Sequence, residues 1–158
     1  VEQNSDSEIT LFGVSMGAAT VMMASGEESL PDQVVNIIED CGYSSVWDEL
    51  KYQAKEMYNL PAFPILYEVS AISKIRAGFS YGQASSVNQL KNNTRPVLFI
   101  HGSDDTFVPT SMVYKNYQAT QGEKELYIVK GAGHAKSFET DPQAYIEKIS
   151  TFLKKYEK

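Results

Sequence analysis

At 158 residues the chain is long enough for one domain with a sizeable core, and its 42% hydrophobic and 22% charged residues are ordinary for a globular protein. A formal net charge of −6 without any basic stripe argues against a nucleic-acid partner. The single Cys41 excludes an intrachain disulfide and a cysteine-rich zinc site, and with no 18-residue apolar run and no signal peptide the expected location is the cytoplasm.

In chain order, Val1 to Glu8 is polar and reads as a linker or frayed end. Ile9 to Gly13 is a short apolar run with the composition of a buried strand, and Ser15 to Ser25 reads as a helix stopped by Gly26. A second apolar strand is expected over Gln33 to Glu39, which makes a βαβ unit with a parallel pair and a right-handed crossover. Ser45 and Asp48 form a capping box before a helix running to about Tyr58. Leu60-Pro61-Ala62-Phe63-Pro64 breaks that helix, and Ile65 to Ala77 resumes a helical pattern before Gly78. Phe79 to Asn93 reads as irregular. Pro96 to His101 is a third strand, Ser111 to Gln121 a helix and Glu125 to Val129 a fourth strand. Asp141-Pro142 opens a final helix, expected to bury Tyr145, Ile146, Ile149, Phe152 and Leu153 on one stripe. Lys154, Lys155 and Lys158 make a short basic end to it.

Three stretches carry chemistry. Gly13-Val14-Ser15-Met16-Gly17 fits the G-x-S-x-G pattern of a sharp strand-to-helix turn, which holds its serine in a strained conformation at a strand's carboxyl end. Both glycines are expected to be there because a side chain would clash where strand and helix converge. His101-Gly102-Ser103-Asp104-Asp105-Thr106-Phe107-Val108-Pro109 follows the third strand, and Lys130-Gly131-Ala132-Gly133-His134 follows the fourth. Parallel strands end together, so the three stretches share one edge of the sheet. They present a serine, an aspartate and a histidine in that order. Imidazole can accept a serine proton near neutral pH, and a carboxylate fixes its tautomer and stabilises the imidazolium.

These motifs in this order resemble the carboxyl-terminal half of an α/β-hydrolase, closest to the serine esterase, lysophospholipase and aminopeptidase-like group. The resemblance covers essentially the whole chain. It implies a single, partial α/β domain over 1–158: three αβα layers, a mainly parallel sheet of about four strands, and a small helical cap over about 46–78. It implies Ser15 as nucleophile, Asp105 as acid, His134 as base and the Met16 N–H as oxyanion donor. The implied substrate is a small-molecule carboxylic ester or amide, cleaved through an acyl-enzyme with no metal or organic cofactor. An acyltransferase of the same fold is the alternative enzyme, and an inert binding module the alternative outside catalysis.

Neighbouring residues compete for some of these roles. His101 closes a strand and reads as structural, and Asp104 as a solvated loop residue. Asp40 also ends a strand and is a second position for the acid, although ordering the Cys41-Gly42-Tyr43 turn suits it better. Cys41 lacks the glycine framing of a nucleophile. The aromatics Trp47, Tyr52, Tyr58, Phe63, Tyr67, Phe79 and Tyr81 either line an acyl pocket or, for most of them, pack as ordinary core. Family members carry earlier strands, and a loop after one of them donates a second oxyanion N–H. The chain is therefore expected to be a fragment, with Leu11 and Phe12 bared on an open edge. That edge, from Ile9 to Phe12, is expected to pair with a second copy or with a separate amino-terminal half.

Overall fold

Residues 7–156 are described by the computed structural model, so the first six residues and the last two, Glu157 and Lys158, lie outside the description. The four apolar runs form β1 (Ile9–Val14), β2 (Val34–Asp40), β3 (Val97–Gly102) and β4 (Lys124–Val129). They lie side by side in chain order and every neighbouring pair is parallel. Helices α1 (Met16–Ser25), α2 (Val46–Tyr58), α3 (Ile65–Ala77), α4 (Ser86–Leu90), α5 (Ser111–Ala119), α6 (Ser137–Thr140) and α7 (Pro142–Tyr156) complete the chain.

Side chains alternate across a strand, so a sheet buried on both faces needs apolar residues at consecutive positions. In β3 and β2, Leu98, Ile100 and Ile38 pack on one face with Tyr145 and Phe152 of α7. Val97, Phe99 and Ile37 pack on the other with Met22 of α1, Leu90 of α4 and Val113 of α5. The three-layer αβα arrangement is thus set by unbroken apolar runs rather than by alternating ones. Among the described residues no helix is long and apolar enough to cross a membrane.

Several local expectations need correction. Phe79 to Asn93 is not wholly irregular. Ser85 accepts a bond from the Asn88 amide at 3.2 Å and starts α4, whose Ser86 and Leu90 are buried. The capping box of α2 is half formed: Ser45 Oγ accepts from the Asp48 amide at 3.0 Å, but the Asp48 carboxylate turns to Ser44 and Lys115. In α7, Ile146 is 56% exposed, because the stripe that meets the sheet runs through Tyr145, Ile149, Phe152 and Leu153. Leu11 packs against the core from β1, so only Phe12, 49% exposed, is bared as expected.

Strand register brings the functional stretches together. Val14 pairs with Asp40, Asp40 with Ile100 and Gly102 with Val129. The residues that follow each strand therefore emerge along one edge of the sheet.

Candidate active site

Ser15 sits between β1 and α1 with φ 55° and ψ −115°, a conformation that L-residues rarely adopt. Its amide donates to Asp40 O at 2.8 Å, which ties the strained turn to the end of β2. A Cβ on Gly13 would lie 2.3 Å from the backbone of Gly17, so strand and helix pass too closely for any side chain there. Gly17 differs from its expectation: outside its own helix, a Cβ there meets no described atom within 4 Å. Met16 opens α1, and its N–H is among the amides that a helix N-terminus leaves unpaired beside Ser15.

The loops after β3 and β4 are locked to each other. Asp104 N donates to Ala132 O at 3.0 Å and Gly131 N to Ser103 Oγ at 2.8 Å. Gly102 is needed for this contact, since a Cβ there would stand 2.1 Å from Ala132 O. Asp105 is buried, and its Oδ1 accepts from the amides of Phe107 and Val108 at 2.9 Å each. That leaves Oδ2 free to face His134 Nδ1 at 2.8 Å, while His134 Nε2 lies 2.8 Å from Ser15 Oγ. The carboxylate only accepts, so Nδ1 carries the proton and Nε2 presents its lone pair to the serine hydroxyl. The Phe107 ring covers the imidazole at 4.8 Å. Burial works against charge on Asp105, but bonds from His101 and His134 outweigh it and hold the carboxyl below its ordinary value.

Ser15, His134 and Asp105 thus meet in one hydrogen-bonded relay with Met16 next to Ser15 at the head of α1, and the competing residues lie outside the relay itself. His101 is buried, its Nε2 2.9 Å from Val108 O and 3.4 Å from Asp105 Oδ2, so it braces the acid's loop. Asp104 Oδ1 accepts from Ser103 Oγ at 2.6 Å. Asp40 does not order the turn after it; its carboxylate accepts from Ser137 Oγ at 2.9 Å and Tyr145 OH at 3.0 Å. Glu39 takes the turn role, accepting from the Gly42 amide at 2.9 Å, and its complete burial raises its carboxyl well above the ordinary value. Burial pushes the Cys41 thiol up to about 12, with the Asp40 charge adding to it, so it holds its proton near neutrality and is no nucleophile.

Helix α2 is bonded to the loop that carries Asp105. Tyr52 OH donates to Thr106 O at 3.0 Å and Gln53 Nε2 to Phe107 O at 2.6 Å, both in the loop of Asp105. Gln53 also donates to the buried Glu49 at 2.9 Å. The two bonds to the loop join residues 54 apart in sequence, and no local pattern announced them. Trp47 meets Tyr67 edge to face at 4.8 Å, which packs α3 on α2. Tyr58, Phe63, Tyr67 and Phe79 are exposed, so ordinary core packing does not account for them.

With this geometry in view, residues 3–158 match the model of the prolyl oligopeptidase family. The chain belongs to that family. Its fold is that of the α/β-hydrolases: the esterase PF2001 of Pyrococcus furiosus superposes with a TM-score of 0.69 at 21% identity, over 96% of this chain and 54% of the esterase. The uncomplexed acylaminoacyl peptidase of Pyrococcus horikoshii gives 0.70 at 19% identity, over 99% of this chain and 25% of the peptidase. Among curated proteins, the uncharacterized protein YqkD of Bacillus subtilis (strain 168) is 31% identical over 145 residues, which are 92% of this chain and 47% of YqkD. The chain therefore spans about half the length of that relative.

Proposed function

We propose that the chain carries the reacting groups of a serine hydrolase that cleaves carboxylic esters or amides. The observation that carries this reading is the continuous relay of Ser15 Oγ to His134 Nε2 and His134 Nδ1 to Asp105 Oδ2, each 2.8 Å, on a serine held at positive φ. Ser15 Oγ attacks the carbonyl carbon while its proton passes to His134 Nε2. Asp105 keeps the ring in the accepting tautomer and stabilises the imidazolium. The Met16 N–H, at the positive end of α1, donates a hydrogen bond to the developing oxyanion. His134 then returns the proton to the leaving oxygen or nitrogen, and water releases the acyl group by the same steps in reverse. The family membership and the esterase and peptidase among the fold neighbours favour this acyl chemistry. Helix α2, bonded to the loop of Asp105, and α3, packed on α2 through Tyr67 and Trp47, act in this reading as a cap over the acyl side.

A fluorophosphonate probe tests the proposal. Covalent labelling of the folded chain is expected at Ser15 and nowhere in Ser15→Ala, with turnover of a nitrophenyl ester lost in the same variant. A folded chain that neither labels nor turns over ester overturns the hydrolase reading in favour of an inert binding module.

A further inference from the structure

The reaction proposed above has no use for Cys41, yet the thiol stands inside the site. Cys41 follows β2 with φ 53°, a conformation costly for a residue with a Cβ, and is completely buried. Its Sγ, a carboxylate oxygen of Asp105 and a ring nitrogen of His134 all lie within 4.8 Å of one another. Thiolate, imidazole and carboxylate together are a zinc donor set, whereas magnesium or calcium would want oxygen ligands. Tetrahedral zinc holds its ligand atoms roughly 3.5 Å apart. The widest gap here must therefore close by about an ångström, and the 2.8 Å Asp105–His134 contact must open slightly. The side chain of His134 is 23% exposed while that of Asp105 is closed, so an ion enters past the imidazole.

We propose that Cys41, Asp105 and His134 form an inhibitory Zn²⁺ site, so that the metal switches off the nucleophile at Ser15. Binding forms one Zn–S, one Zn–O and one Zn–N bond, and the thiol proton of Cys41 leaves to solvent. If Nε2 is the ligand, its lone pair no longer reaches the serine hydroxyl. If Nδ1 is the ligand, its proton moves to Nε2 and blocks the same transfer. Either way the base is lost. The site itself rests on the placement of three donors; only its inhibitory consequence rests on the hydrolase reading.

Calorimetric titration with zinc sulfate, on the whole chain and on Cys41→Ala and Cys41→Ser, tests the site directly. One ion per chain is expected, with affinity at least tenfold weaker in both variants. In parallel, zinc is expected to suppress fluorophosphonate labelling of Ser15 in the parent chain, with recovery on adding EDTA, and to leave both variants labelled. Cys41→Ser keeps a small polar group and stands in if the alanine variant does not fold. No zinc binding by the parent chain overturns the proposal, as do variants that bind and respond like the parent. Should the parent chain never label, the titration still decides the metal site, and the hydrolase reading fails separately.

Discussion

Replacing Asp105 by asparagine isolates the acid's role, because the surroundings dictate how the amide must sit. Oδ1 accepts from two backbone N–H groups at 2.9 Å, so the amide oxygen has to remain there and the NH₂ group must take the place of Oδ2. That puts a donor 2.8 Å from His134 Nδ1. The ring can answer only by moving its proton from Nδ1 to Nε2, and Nε2 then meets Ser15 Oγ as a donor instead of an acceptor. The wrong tautomer in this arrangement costs roughly 10⁴ in kcat, about 5.4 kcal/mol of transition-state stabilisation. The two amide bonds to Oδ1 survive, so folding should change little. By contrast, the carboxylate of Asp104 is bonded to Ser103 and not to His134 among the described residues, and Asp104→Asn should leave turnover within about threefold, as befits an exposed loop position. Nitrophenyl-ester turnover and the rate of fluorophosphonate labelling, measured on chains with matching melting curves, read both variants. An Asp105→Asn chain within tenfold of the parent, or a collapse in Asp104→Asn, would refute the assignment of the acid.

Three other outcomes follow from the same geometry. Gly13→Ala drives a Cβ into the backbone of Gly17 and should cost about 1–3 kcal/mol or more, whereas Gly17→Ala should be nearly neutral; chemical denaturation of the two variants checks the contrast. Burial favours the neutral form of Glu39 and raises its carboxyl above the ordinary 4.5 in the fold. Its stabilising share is complete below that pH and is lost as pH rises from 4.5 through the raised value, because the unfolded chain ionises first. Glu39→Gln should therefore flatten the fall in melting temperature between acid and mildly alkaline pH, and an unchanged slope would remove Glu39 as its source. At the sheet edge we propose that β1 recruits a strand from a second copy or a separate amino-terminal half, since it pairs on one side only among the described residues and leaves Phe12 half exposed. Sedimentation should show species larger than the monomer, or binding of such a half; a monomer at every concentration with full ester turnover refutes it.

The sequence made the sheet and the gathering at its edge legible for one physical reason. In a parallel sheet, a residue just past a strand's end has its position settled by that strand alone, so Ser15, Asp105 and His134 could be placed from three local patterns. What escaped had no local pattern. Helix α4 is five residues long and α6 four, too short for a helical period to show. The partners of Asp40 lie 97 and 105 residues away, which is why the turn it seemed to order belongs to Glu39, one position earlier and on the opposite face of β2. The Gln53 contact to Phe107 spans 54 residues and depends on how α2 packs against the loop after β3.

Cys41 escaped for a subtler reason. Its sequence context argued correctly that it is not framed as a nucleophile, but that argument concerns only its own backbone. Its place beside His134 is a property of strand order: β2 lies between β1, which delivers Ser15, and β3, which delivers Asp105. The residue that follows β2 therefore emerges between the two loops, and in this chain it is a thiol close to Asp105 and His134. The parallel register that made the site legible thus also sets a soft ligand within it.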